Sequence, residues 1–342
     1  MTPPAGFATA ELVAECGPVA AGQVSVGPVS AGRMSDGRMS AGRIAGTVAA
    51  VAAEVGQLVR PRIAVMVLAT VATAFWLTAG RPAAAGSFLA LLTGTALVAA
   101  SSSIANQILE RRTDRLMPRT ARRPVAAGRM SVATATILAT ATLVAGVAVT
   151  TAAAGWRPAA AAVATWLLYV VVYTPLKRLT PLNTAVGAVA GALPVAIGWL
   201  AAGGPDRLAG GDAAGALAAA ALATVLYLWQ FPHFMAIAWL YREQYAAAGL
   251  RMLTVVDPSG LRAAGQSLAA ALAMVPVSLV LAVPSGSPRL FLAAAVASGV
   301  YVLATVRFAV RRDRSGARTL LLVSLGTLLG LLTAAVTLGR PS

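Results

Sequence analysis

The sequence predicts an all-α fold: a polytopic membrane protein with nine transmembrane helices. Three observations predict it. Of the 342 residues, 58% are hydrophobic and 11% charged, with a mean hydropathy of +0.78; an ordinary soluble domain has about 25% charged residues. Apolar runs recur at 63–79, 83–109, 132–154, 158–174, 182–202, 213–241, 265–284, 290–306 and 319–338, each near or above the ~20 residues that cross ~30 Å of hydrocarbon. The basic residues also alternate with those runs. One side of the predicted membrane receives 22 of the 27 Lys and Arg residues, and the other receives only Arg81, Arg157, Arg207, Arg289 and Arg340. A split of that size predicts a cytoplasmic N-terminus and an external C-terminus in the cell membrane.

Without water in the bilayer core, each run must be helical to satisfy its backbone. The net charge of +16 does not point to nucleic acid, because it sits in the loops of one membrane face. The single cysteine, Cys16, has no partner for an internal disulfide.

Residues 1–55 precede the spans. "VSAGRMSDGRMSAGRIAG" has no apolar face to bury, and the segment is predicted to be a disordered basic tail attracted to anionic lipid. It lacks the continuous apolar core of a signal peptide. "GTVAAVAAEVGQLVRPR" fits a short amphipathic helix lying on the membrane before the first span. The membrane domain is expected over 56–340.

The second span runs into "NQILERRTDRLMPRTARRP", with no helix breaker before Pro118. Asn106, Glu110 and Asp114 stand at i, i+4 and i+8. On a helix they drift ~40° per step and form one stripe about 12 Å long, at the cytoplasmic end and able to face the bundle interior. Two carboxylates and an amide oxygen make a hard-oxygen set that suits Mg²⁺, and the six arginines of this stretch suit phosphate. The stretch therefore reads as a Mg²⁺–diphosphate site. The plainer alternative is loop charge, with Glu110–Arg111 and Asp114–Arg115 in a solvated network.

The fourth and fifth spans are joined by "YTPLKRLTPLNTAVGAVAGALPVAIGW", which holds the only lysine, Lys177. Lys177 near Tyr173 and Arg178 suits an oxyanion, or is a topology-setting basic pair. Thr180 or Asn183 is expected to cap the fifth span. Gly187, Gly191 and Pro194 are expected to serve packing. The sixth span ends in "LWQFPHFMAIAWLYREQYAAAGLRML", with the only histidine, His233. An ionisable group within a membrane helix is a functional candidate, as proton carrier or metal ligand, or else a neutral side chain hydrogen-bonded in the bundle. Pro232 suggests a kink, and Trp229, Phe231, Phe234 and Trp239 offer aromatic surface.

These stretches resemble the UbiA-type membrane prenyltransferases. The first is similar to their N-x-x-x-D-x-x-x-D motif, and its tail "DRLMPRTARRP" looks like that of the protohaem IX farnesyltransferases (haem O synthases). The other two quoted stretches and "VRPRI" at the first span are similar to that subfamily too, so the resemblance covers about 57–340. It implies a nine-helix UbiA-type bundle with a cytoplasm-facing site. It implies transfer of farnesyl from farnesyl diphosphate to a vinyl group of haem B, with water added, giving haem O for terminal oxidases, and a haem A synthase or oxidase assembly partner. Asn106, Glu110 and Asp114 would hold Mg²⁺ and the diphosphate, with Lys177 among the catalytic groups. Arg115, Arg119, Arg122, Arg123, Lys177 and Arg178 would bind the diphosphate. His233, Arg242 and Glu243 would sit at the haem end. Two positions depart from the family pattern. Glu110 replaces an Asp, and Gln244 in "REQY" replaces an acid, so a second acidic metal site rests on Glu243 with Asp257. Another UbiA-type prenyltransferase is one alternative, although a second D-x-x-x-D motif is absent; an anion transporter is the other.

Overall fold

The structure, a computed structural model, describes residues 54–79 and 85–339. Among these residues it has nine helices long and apolar enough to cross a membrane, and no strand. They are α1 (Pro61–Ala79), α2 (Ala85–Arg115), α3 (Val132–Ala154), α4 (Trp156–Leu179), α5 (Asn183–Ala201), α6 (Ala214–Leu240), α7 (Leu261–Val280), α8 (Pro288–Arg311) and α9 (Arg314–Leu338). All nine predicted spans are present. Several helices run past their apolar cores into charge: α2 continues to Arg115, α8 to Arg311, and α9 begins at Arg314. The tail predicted over 1–55 lies outside the described residues except for its last two, which open a helical turn at 54–59.

Small residues let the helices approach closely. A Cβ on Gly94 would stand 2.8 Å from Thr150 N, and one on Gly146 would stand 2.8 Å from Gly94 O, so the backbones of α2 and α3 touch there. Large apolar side chains such as Ile137, Val144, Leu303 and Leu322 are exposed on the helices' outer sides, as lipid-facing positions require. The largest core packs α6 against α7, α8 and α9 through Leu222, Met235, Met274, Tyr301, Phe308 and Leu328. A second core joins α1, α2, α4 and α5 through Val71, Phe75, Leu91, Ala162 and Ile197.

Three features prepare the site. Helix α4 changes from α to π geometry over Leu168–Tyr173 before resuming as Thr174–Leu179. Helix α5 is made of two pieces, Asn183–Ala192 and Pro194–Ala201, divided where Pro194 lacks the amide to continue the ladder. Helix α6, by contrast, stays continuous through Pro232. The expected side-chain cap of α5 is not formed. Leu182 holds the cap position without a side-chain bond. Thr180 Oγ1 instead accepts from Leu182 N at 3.3 Å, and Asn183 Nδ2 donates to Thr180 O at 2.7 Å.

Candidate active site

Each member of the α2 stripe meets a cation from a different part of the chain. Arg60, just ahead of α1, donates to Asn106 Oδ1 at 3.1 Å. Lys177 Nζ, near the end of α4, donates to Glu110 Oε1 at 2.7 Å. Arg123, in the loop after α2, donates to both Asp114 oxygens at 2.8 and 2.7 Å, and its Nη1 lies 3.7 Å from Glu110 Oε2. Asn106 and Asp114 are fully buried. The stripe therefore faces inward, and its partners are not the sequence neighbours Arg111 and Arg115. Burial, with Arg60 beside it, pushes the Arg123 guanidinium below its ordinary range, while Asp114 and Glu110 oppose that shift.

Packing on several sides fixes Lys177. Its ammonium lies 4.4 Å from the centre of the Tyr173 ring, within cation–π range. Its carbonyl accepts from Arg251 N at 2.8 Å, which docks the α6–α7 loop onto the end of α4. The Tyr173 ring fits where Gly187 has no side chain: a Cβ there would stand 2.6 Å from Tyr173 Cε2. Thr174, the first residue after the π segment, donates to Tyr169 O at 2.9 Å and accepts from Asn106 Nδ2 at 3.0 Å. The Asn106 amide is thereby oriented, with its oxygen turned to Arg60.

The loop after α2 folds over this site. Arg115 Nε donates to Ala126 O at 2.8 Å, and Thr120 Oγ1 donates to Asp114 O at 3.0 Å. Arg119 lies 4.7 Å from the Tyr241 ring centre and donates to Tyr245 Oη at 3.3 Å. Met117 packs with Tyr245, Leu250 and Met252. Arg129 ties the loop to the turn at 54–59 through Glu54 at 2.6 Å and Gln57 at 2.9 Å. Arg122 and Arg178 are exposed.

The residues expected at the haem end have other surroundings. His233 Nδ1 is 2.7 Å from Ser324 Oγ on α9, and its ring stacks on Trp229. The Arg242 guanidinium lies over Trp239 at 4.5 Å, and Glu243 is exposed. Asp257 is committed to the turn before α7: it accepts from Ser259 Oγ at 2.5 Å and Arg262 N at 2.8 Å, and the Ser259 bond holds its carboxyl below the usual range. Gln244 Oε1 is buried without a partner; a carboxylate there would be a buried, unpaired charge. Among the described residues no three His, Cys, Asp or Glu side chains are grouped to share a metal. The stripe offers two carboxylates and an amide oxygen, a donor set that fits a Mg²⁺ completed by phosphate and water.

Sequence reasoning did not single out Arg60, which entered there only as a loop charge and within "VRPRI", or Thr174. The local signal was the "VRPRI" stretch itself; the left-handed backbone of Arg60 is not what a following proline favours.

The model of the UbiA prenyltransferase family matches residues 67–336. A Rhodopirellula baltica protein named protoheme IX farnesyltransferase is 46% identical over 252 residues, 73% of this chain and 82% of that one. One of the same name from Solibacter usitatus is 36% identical over 296 residues, 83% of this chain and 98% of its own. Among solved structures, a digeranylgeranylglyceryl phosphate synthase superposes with a TM-score of 0.67 at 12% identity, over 84% of this chain and 98% of that one. A UbiA homologue from Archaeoglobus fulgidus, bound to GPP and Mg²⁺, gives 0.58 at 16% identity, over 83% and 99%.

Proposed function

The chain belongs to the UbiA prenyltransferase family, and we propose that it transfers the farnesyl group of farnesyl diphosphate to a vinyl group of haem B, producing haem O. In that reaction the bond between farnesyl C1 and the diphosphate oxygen breaks. The terminal vinyl carbon bonds to C1, water adds its hydroxyl to the other vinyl carbon and loses a proton, and diphosphate leaves. The observation that carries the reading is the α2 stripe: its three oxygen-bearing side chains each contact a cation, in a chain 46% identical to a protein named for this reaction.

Asn106, Glu110 and Asp114 would hold Mg²⁺, and the ion when bound would neutralise charge on the departing diphosphate. The chain's own cations do the same work from fixed positions. Lys177, Arg123 and Arg60 lie against the stripe, and on substrate binding they would turn from its oxygens to those of the diphosphate. Arg122 and Arg178, exposed and next in sequence to Arg123 and Lys177, would complete the anion's shell. Arg115 and Arg119 would act chiefly by holding the loop that carries Arg122 and Arg123. His233, Arg242 and Glu243 would serve the haem. The 22-to-5 division of basic residues supports a cytoplasmic mouth in the cell membrane.

The test is to incubate membranes containing the protein with haem B, farnesyl diphosphate and Mg²⁺, and to analyse extracted haems by mass spectrometry. A Mg²⁺-dependent hydroxyethylfarnesyl haem is expected. Diphosphate release only with a different acceptor would overturn the haem assignment and leave the anion site standing. Movement of anions across the membrane without any product would favour a transporter.

A further inference from the structure

The hydrogen bonds around His233 determine which of its ring nitrogens carries the proton. Ser324 Oγ lies 2.7 Å from His233 Nδ1 and 2.6 Å from the Leu321 carbonyl oxygen. A serine hydroxyl has one proton, and a carbonyl oxygen can only accept. At 2.6 Å that proton must lie between the two oxygens, or their lone pairs would face each other. Ser324 Oγ then has only a lone pair for the imidazole, so Nδ1 carries the ring proton.

The ring is also fixed by its face. Trp229 stacks on it at 4.5 Å with 24° between the planes. Trp229 is itself tied at both ends: its Nε1 donates to Ser324 O at 2.7 Å, and its carbonyl accepts from Tyr301 Oη at 2.6 Å. Ser324, fully buried on α9, thus holds the histidine by its side chain and the tryptophan by its backbone.

The other nitrogen is left with a lone pair and, among the described residues, no hydrogen-bond partner. The fully buried side-chain polar atoms without a partner among the described residues are Gln107 Oε1, Trp199 Nε1, Trp239 Nε1 and Gln244 Oε1. His233 Nε2 is not among them and the residue is only half-buried, so this atom is not completely enclosed by the packed core. The polar and ring contacts of the imidazole are to Ser324, Trp229 and Phe234. Among the described residues no carboxylate contacts it to balance an added proton. A neutral, oriented imidazole with a free nitrogen beside aromatic surface suits a metal centre better than a proton-transfer role.

We propose that Ser324 is a positioning residue that fixes His233 in the Nδ1–H form, so that Nε2 serves as an axial donor to the iron of the haem substrate. The inference rests on the haem reading given above. The logic is that of metal-binding histidines generally: the partner of one nitrogen sets the tautomer and orientation of the other.

His233 is the only histidine in 342 residues, so nitrogen-15 histidine labelling of the full chain, purified through a histidine-free tag, yields a single ring for NMR. Zinc protoporphyrin IX, diamagnetic and with one axial site, is the probe. The expected result is a protonated Nδ1 and a bare Nε2 in the free protein, with Nε2 shifting when the porphyrin binds. A protonated Nε2 in the free protein would overturn the tautomer lock. An unmoved Nε2 with porphyrin bound, as followed by its absorption, would overturn the ligand role and leave haem O formation unaffected. No haem O from the wild type, together with no porphyrin binding, would overturn both readings. Ser324→Ala should mix the tautomers and weaken porphyrin binding roughly 10- to 100-fold. Ser324→Thr should restore both, and equal affinity in all three proteins would sink the proposal.

Discussion

Arg60 donates to Asn106 Oδ1 at 3.1 Å, and it does so from a left-handed backbone at φ +52°. A non-glycine residue there carries about 1–2 kcal/mol of strain, of the kind that persists where surrounding structure imposes it. Arg60→Gly relieves the backbone and removes the cation. Its melting temperature should match the wild type or exceed it. Affinity for a non-hydrolysable farnesyl diphosphate analogue should fall by about tenfold or more, the worth of one hydrogen bond to a charged group. Unchanged affinity would remove Arg60 from the site.

Glu110→Gln and Asp114→Asn should each abolish turnover, by at least ~100-fold for the loss of one charge-stabilising group. They should also differ in stability. Asp114 is bound by both oxygens to Arg123, with side-chain exposures of 1% and 17%, and removing one partner of a buried pair costs about 3–5 kcal/mol. Glu110 keeps slightly more contact with solvent, at 12%, and its amide can still accept from Lys177. Thermal melts alongside haem O assays, normalised to folded protein, separate the two effects. Normal activity in both variants would dismiss the site.

A methyl group at Gly187 would collide with the Tyr173 ring at 2.6 Å, and that ring lies beneath the Lys177 ammonium. Gly187→Ala should cost about 1–3 kcal/mol of overpacking and reduce turnover through Lys177, although residue 187 touches no substrate. Pairing it with Tyr173→Leu, which vacates the space, should recover stability. Failure to recover would mean that the strain lies elsewhere.

Arg119 is held between Tyr241 and Tyr245, and this arrangement predicts a loop-fixing role. Arg119→Ala should speed proteolysis within 116–131 and lower turnover several-fold. Tyr245→Phe, which removes only the 3.3 Å hydrogen bond, should do little, since such a bond contributes about 1 kcal/mol. A large drop in diphosphate affinity with unchanged proteolysis would instead make Arg119 a direct ligand.

The spans were legible because apolar length and the alternation of basic loops are properties of the chain alone. The stripe was legible for a similar reason: Asn106, Glu110 and Asp114 share one helix, and nothing breaks it before Pro118. The partners were not legible. Lys177 is 67 residues from Glu110, and Arg60 is 46 from Asn106; only the packing of α1 and α4 onto α2 brings them together. "LYVVVY" contains no proline or glycine to announce the π segment. Ser324 is one serine in an apolar helix, and nothing local marks it as the partner of His233.

The three cations around the stripe face two carboxylates, leaving one positive charge in surplus inside a membrane protein. That imbalance gives the site a polarity in time as well as in space. A bare divalent cation arriving first meets charge of its own sign, whereas an anion is drawn in. Magnesium and diphosphate should therefore enter as one complex whose net negative charge cancels the surplus. Initial rates should follow the concentration of that complex, and raising free Mg²⁺ beyond saturation of the diphosphate should leave the rate on a plateau.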